Sequence, residues 1–246
     1  MRITLKALLL AAALTFSGPA FAWDIDKMNT QIEATNVIVS EICSGTIINK
    51  EKRLVLTAHH CITDNLKTTE KKKVDPKTGQ VSTITVQEMQ PMFIETWVRD
   101  PADGEIITKE LHTAKILGYS DKYDIAILQV DDPMYQPKME APLAADTYEY
   151  KRGKEVFAVG NPGIVFDNSV TKGIISAPLR ALNMGGNFNL PFFQHSASII
   201  GGSSGGAIYN DNGELIGTVS AGVRGADIGL AMPISKTKEL LKQLGY

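Results

Sequence analysis

Three short segments carry side chains suited to nucleophilic catalysis. The first is Gly201-Gly202-Ser203-Ser204-Gly205-Gly206. On composition alone a Gly/Ser cluster reads as a flexible turn. Here it is flanked by Ser198-Ile199-Ile200 and Ala207-Ile208-Tyr209, which makes it a tight turn inside β-rich chain. A nucleophilic serine needs neighbours without side chains. A carbonyl can then approach, and backbone N–H groups can face the developing oxyanion. The second segment is Leu54-Val55-Leu56-Thr57-Ala58-His59-His60-Cys61, an apolar strand running into two imidazoles and a cysteine. A general base must be held firmly, because small displacements are costly in rate. The third is Tyr123-Asp124-Ile125-Ala126-Ile127-Leu128, a carboxylate opening an apolar strand. Such an Asp is either an exposed strand end or, if buried, an anchor that orients an imidazole and stabilises its charged form.

These groups need a rigid frame, and the chain supplies many short β-rich runs. In the first half they are Val37 to Ile48, Arg53 to Thr57, Val81 to Val86, Phe93 to Val98 and Ile125 to Val130. In the second half they are Val156 to Val159, Val170 to Ser176, Phe192 to Gln194, Leu215 to Ser220 and Ile228 to Met232. Most are rich in Val, Ile, Thr and aromatics, and many are bounded by turn residues, a pattern that reads as barrel or sandwich. Asn65 to Gly79, with its Glu-Lys-Lys-Lys run, reads as a solvated loop. Asp131 to Tyr150, with three prolines, reads as a linker between two halves. Ser235 to Gly245 is the best helix candidate, with Ser235 as cap and Leu240, Leu241 and Leu244 as one apolar stripe.

Residues 1–22 have the build of a secretory signal peptide: Arg2 and Lys6, an apolar run from Leu8 to Phe16, and Ala20-Phe21-Ala22 as cleavage site. The run is too short for a membrane anchor. Removal would take the net charge from −2 to −4, since Arg2 and Lys6 leave with no acidic residue. Export favours pairing of the two cysteines, Cys43 and Cys61. A metal site built on Cys43, His59, His60 and Cys61 is the competing reading, and adjacent histidines are poorly spaced for it. The 246 residues, with 43% hydrophobic and 21% charged, exclude wholesale disorder and fibrous repeats. The weak net charge argues against nucleic-acid binding through a strong basic field.

Together the three segments resemble the trypsin/chymotrypsin-like serine peptidases, whose triad occurs in the order His60, Asp124, Ser204. Residues Thr57 to Cys61 are similar to the family's T-A-A-H-C, Asp124 to Leu128 to its D-I-A-L-L, and Gly202 to Gly206 to its G-D-S-G-G. The second half resembles the HtrA/Deg branch. Phe157 to Gly163 is similar to F-A-I-G-N-P, Val170 to Ala177 to V-T-x-G-I-V-S-A, and Gly229 to Pro233 to G-F-A-I-P.

The resemblance implies an all-β fold of two antiparallel six-stranded barrels, chymotrypsin-like, over residues 23–135 and 136–246, with a short C-terminal helix. It implies a disulfide between Cys43 and Cys61 beside the catalytic histidine. It also implies an exported serine endopeptidase acting on polypeptides through an acyl-enzyme, with no cofactor and no metal. Ser204 would be the nucleophile, His60 the base and Asp124 its anchor, with Gly202 and Ser204 donating to the oxyanion. His112 and His195 would be bystanders. Ser198 stands where trypsin has the Asp that attracts Lys or Arg, which implies cleavage after small or medium uncharged residues. Ser220, Ala221 and Gly222 match the edge that pairs with the substrate backbone. Ser203 replaces the Asp that pairs with a new N-terminus in trypsin zymogens, so no such activation is expected. HtrA proteins usually continue into a PDZ domain, and the chain as given ends at Tyr246, so PDZ-based capture is not expected. The alternative is a silent or latent peptide-binding protein, chaperone-like, on the same scaffold.

Overall fold

The computed structural model describes residues 24–100, 102–182, 190–223 and 225–246. The segment read as a signal peptide lies outside the described residues. The chain opens with helix α1 (Ile25–Thr35), which the sequence reading missed. The Asp24 carboxylate caps it by accepting from the N–H groups of Asp26 at 3.0 Å and Lys27 at 3.2 Å.

Strands β1 (Asn36–Val39), β2 (Cys43–Asn49) and β3 (Leu54–Thr57) follow, then a hairpin of β4 (Leu66–Val74) and β5 (Val81–Met89). After it come β6 (Met92–Arg99), β7 (Ile106–Ser120) and β8 (Ile125–Val130). Apart from the hairpin these close into an antiparallel barrel in the order β1-β2-β3-β8-β7-β6. The second half contains β9 (Glu155–Gly160), β10 (Ser169–Leu182), β11 (Leu190–His195), β12 (Ala207–Asn210), β13 (Leu215–Gly222) and β14 (Gly229–Pro233). They close in the order β10-β11-β14-β13-β12-β9. Helix α2 (Ile234–Gln243) ends the fold. The expected chymotrypsin-like pair of six-stranded barrels is therefore what forms.

The largely apolar character of β3 and β8 has a structural cause. The two strands are antiparallel neighbours, with Thr57 opposite Ala126 and Leu54 opposite Gln129. Leu54, Leu56, Ile125 and Ile127 join the core of the second barrel, whereas Val55, Ala126, Leu128 and Val130 fill the first. Each strand is buried on both faces, so polar residues do not alternate along it. This pair forms the wall between the barrels. His59 and His60 follow the end of β3, and Asp124 precedes the start of β8, so antiparallel pairing brings them together.

Three sequence expectations need correction. Residues 66–74 do not form a loop: they are strand β4, paired throughout with β5, from Leu66 opposite Met89 to Val74 opposite Val81. Lys and Glu are poor strand formers alone, but the Thr- and Val-rich β5 gives them a partner, and Lys71 pairs with Glu88 at 2.6 Å. The run Val37 to Ile48 is two strands, broken where Ser40 and Glu41 take φ of 49° and 60°. Helix α2 starts after Pro233 rather than from a Ser235 cap. The strand β7, 15 residues long, went unread. The Pro-rich stretch after β8 crosses to the second barrel, and Ala141 N–H donates to Ile47 C=O at 2.8 Å on the first. On the second, Ala144 N–H donates to Leu215 C=O at 3.0 Å and Leu215 N–H donates to Pro142 C=O at 2.7 Å.

Cys43 and Cys61 are joined, so neither offers a free thiolate. The bridge closes a separation of 18 residues and ties the start of β2 to the turn that carries His60. Replacing both cysteines by Ala is expected to lower stability by about 3 kcal/mol, the chain-entropy value for a loop of this size. Urea unfolding of the oxidised protein and the double variant, read by tryptophan fluorescence, measures it.

Candidate active site

His60 sits in a 3-10 turn, His59–Cys61, and its imidazole is partly open to solvent. Its Nδ1 lies 3.0 Å from Asp124 Oδ1 and 2.9 Å from Oδ2. A carboxylate only accepts, so Nδ1 carries the hydrogen and Nε2 keeps a lone pair facing away. The His60 backbone N–H also donates to Asp124 Oδ1, at 2.9 Å. Ring and backbone of the histidine are thus locked to one carboxylate.

Asp124 is held as firmly. It adopts φ of 49°, a left-handed conformation that Asp tolerates better than most residues. The Ser220 hydroxyl donates to its Oδ2. Pairing of β13 with β14 shifts register between Val219 and Ala221, so Ser220 is the extra residue of a bulge. Bulges re-aim side chains, and this one turns Ser220 to the carboxylate. Burial opposes the charge on Asp124. The hydrogen bond and charge of His60 and the hydroxyl of Ser220 outweigh it and hold Asp124 below the ordinary Asp value. The hydrogen bond to Asp124 raises His60 above its ordinary 6.5, against the opposing pull of burial.

The Gly/Ser cluster forms a tight turn before β12. Ser204 is partly exposed while Gly202, Ser203, Gly205 and Gly206 are buried. Gly202 has φ of +94°, and a Cβ there would lie 2.5 Å from the Asn161 carbonyl oxygen. A Cβ on Gly205 would lie 2.2 Å from Thr57 Oγ1. No larger residue fits either position. The turn is pinned to the first barrel by Ser44 N–H, which donates to Ser204 C=O at 2.8 Å. Gly205 N–H donates to Val219 C=O at 2.8 Å, next to the Ser220 that binds Asp124. The serine turn and the His60–Asp124 pair are therefore fastened to the same strands.

Two peptide groups in this turn have their carbonyls anchored. Gly201 C=O accepts from Gly163 N–H at 2.6 Å, and Ser203 C=O from Gly206 N–H at 3.0 Å. A trans peptide points its N–H opposite to its C=O. The N–H groups of Gly202 and Ser204 are thereby fixed in direction, and neither has a backbone acceptor among the described residues. Such a pair of fixed donors suits a developing oxyanion.

Of the other expected site residues, Ser198 is exposed and its C=O accepts from Thr171 Oγ1 at 2.7 Å. It lines a recess of only about 10 Å³ with Thr171, Ile199, Ser203 and Val219. Ala221 and Gly222 lie on β13, opposite Leu230 and Gly229. His59 stacks on Tyr119, ring centroids 4.8 Å apart, and burial lowers its pKa below 6.5. Tyr119 in turn donates to Gln87 of the hairpin. His112 pairs with Asp132 at 2.8 Å on the first barrel, and His195 is buried in the second, where burial pushes it down to about 4. Sequence reasoning missed Ser44 and Asn161, buried polar residues at the barrel junction. The available signal was a small hydroxyl inside the apolar run after Cys43.

Residues 43–217 match the family model of the trypsin-like peptidase domain. The chain is 34% identical over 206 residues to the periplasmic pH-dependent serine endoprotease DegQ of Escherichia coli, covering 82% of this chain and 36% of that protein. It is 34% identical over 141 residues to serine protease HTRA1B of Danio rerio, covering 56% of this chain and 29% of that one. It thus spans about a third of the length of these relatives. The crystal structure of the serine endoprotease from Yersinia pestis superposes with a TM-score of 0.62 at 23% identity, covering 90% of this chain and 66% of that one.

Proposed function

Since the chain belongs to the trypsin-like peptidase domain family, we propose that it is a serine endopeptidase working through a His60–Asp124–Ser204 triad. The observation that carries this is the Nδ1 contact of His60 with Asp124, whose carboxylate is held by Ser220 next to the Val219 carbonyl that pins the serine turn. In the reaction, His60 Nε2 takes the Ser204 hydroxyl proton as Oγ bonds to the substrate carbonyl carbon. The carbonyl oxygen becomes an oxyanion facing the N–H groups of Gly202 and Ser204. The tetrahedral intermediate expels the amine, which receives the proton from His60, and leaves an acyl-Ser204 ester. Water, deprotonated by His60, attacks that ester and releases the acid. Asp124 stays ionised throughout and steadies the imidazolium.

Polypeptides are the substrates in this reading. The relatives named periplasmic support export of the mature chain, with residues 1–22 as the signal peptide. The edge of β13 at Ser220, Ala221 and Gly222 would add the substrate backbone as a further strand. The small recess at Ser198 has no charge and little depth, so the residue before the cut should be Ala, Val or Thr in size. A peptide library is expected to rank these at least tenfold above Lys and Arg, a 1.4 kcal/mol preference; a profile led by Lys or Arg refutes it.

The activity is tested by labelling mature protein with a fluorophosphonate and mapping the labelled peptide. Label on Ser204, absent from the Ser204→Ala and His60→Ala variants, supports the enzyme. A folded, oxidised protein that takes no label supports the silent peptide-binding alternative.

A further inference from the structure

We infer that Ser44 is a positioning residue whose buried hydroxyl sets the oxyanion donors of the serine turn. The inference rests on the proposed peptidase reading and names a residue outside the triad.

Ser44 is fully buried on β2, directly after Cys43. All three of its polar groups are engaged at the barrel junction. Its N–H holds Ser204 C=O at 2.8 Å. Its C=O accepts from Thr57 Oγ1 at 2.8 Å, which fastens it to the end of β3 just ahead of His60. Its Oγ donates to Gly202 C=O at 2.7 Å and accepts from Asn161 N–H at 2.8 Å.

The last two bonds lie on either side of the oxyanion donors. Gly202 C=O belongs to the peptide following the Gly202 N–H, so the hydroxyl limits rotation of that residue from one side. Asn161 starts the short turn whose Gly163 N–H grips Gly201 C=O, which fixes the same residue from the other side. Asn161 is itself fully buried, with its Nδ2 on Val37 C=O at 3.0 Å and its Oδ1 accepting from Asn36 at 2.9 Å. The network is packed to contact: a Cβ on Gly160 would lie 2.8 Å from Ser44 Oγ. Gly202, with φ of +94°, has wide conformational freedom of its own, so its N–H direction must be imposed from outside. The Ser44 side chain bonds both the serine turn and the turn that buttresses it.

Loss of the hydroxyl removes a donor from Gly202 C=O and an acceptor from Asn161 N–H. The oxyanion N–H groups should then lose alignment while Ser198 and the β13 edge at Ala221 and Gly222 keep their places. A single oxyanion donor is worth about 100- to 1000-fold in kcat, and misalignment should cost a part of that. Ser44→Ala is therefore expected to lower kcat about 10- to 100-fold with KM within about twofold. Affinity for a peptide boronate, which forms a tetrahedral adduct on serine, should fall by the same factor. Affinity for a cleaved product peptide should not change. A purely structural role would move stability and all three ligands alike.

The inference is overturned if Ser44→Ala keeps wild-type kcat, or if product and boronate binding fall together. Should Ser44→Ala fail to fold, Ser44→Gly carries the test with the same expected direction, and full kcat there overturns it. Wild-type protein that neither cleaves peptide nor takes label refutes the peptidase reading itself, whereas an active wild type beside an unaffected Ser44→Ala refutes only the role of Ser44.

Discussion

Ser204→Ala is expected to lower kcat by about 10⁶-fold and to leave the fold intact. Ser204 is only partly buried and its hydroxyl is the attacking atom in the proposed mechanism, so truncation removes the covalent route without opening a cavity in the core. His60→Ala should fall to a similar level, because a hydroxyl with no base is a poor nucleophile at neutral pH. The double variant should be no worse than either, since groups acting as a unit are not additive. His59→Ala separates the two adjacent imidazoles. His59 stacks on Tyr119 and makes no contact with Asp124 comparable to that of His60, so its loss should be mild. Steady-state turnover of a fluorogenic peptide by the four variants checks this. Equal losses from His59→Ala and His60→Ala would refute the assignment of the base.

Asp124→Asn should cost about 10⁴-fold in kcat with geometry nearly preserved. An amide side chain can present its NH₂ to His60 Nδ1. That favours the tautomer with hydrogen on Nε2, which cannot accept the serine proton. The pH dependence supplies the second readout. In the wild type His60 is raised above 6.5, chiefly by its bond to Asp124, and only neutral His60 is a base. kcat/KM should therefore climb with pH through a midpoint above 6.5. In Asp124→Asn the raising influence is gone and burial remains, so the His60 titration should move down.

The stability contribution has a matching sign. The raised His60 adds stability that is complete below 6.5 and is lost as pH rises through its folded value. The lowered Asp124 adds stability that is present above its unfolded 3.8 and is lost as pH falls through its folded value. Both contributions are complete between 3.8 and 6.5. Proton NMR of the His60 ring in both proteins tests the shift, and an unmoved titration would refute the coupling.

The legible parts of this protein were those whose local chemistry and tertiary role agree. Runs buried on both faces, such as Leu54 to Thr57 and Ile125 to Val130, read as strands because apolar residues dominate them and polar ones do not alternate along them. Cys43 and Cys61 read as a pair because export favours it and the family resemblance implies it. The illegible parts depend on distant partners. Helix α1 has only Ile25, Met28 and Ile32 as large apolar residues. Its attachment comes from Gln31 Nε2 on Gly213 C=O at 2.8 Å and from Thr35 beside the Tyr209 hydroxyl at 3.1 Å, both more than 170 residues away in sequence. Strand β4 needed β5 to be a strand at all, and the Lys run gave no local sign of it. Strand β7 alternates buried His112, Ala114 and Ile116 with exposed charged and polar residues, a period obscured by its exposed first half. Within the site, donor and acceptor types were readable, whereas the hub at Ser44 emerges only when both barrels are closed.

The wall formed by β3 and β8 has one more consequence, for how the protein comes apart. Amide protons on strands packed from both sides exchange only through large openings, because no smaller motion exposes them. The amides of Val55, Leu56, Ala126 and Ile127 should thus be among the slowest to take up deuterium, while those of the hairpin exchange early. The histidine and aspartate at the ends of that wall belong to the last cooperative unit to open. Partial unfolding at the periphery should therefore leave the His60–Asp124 pair assembled in a loosened molecule, and only global unfolding should separate the two.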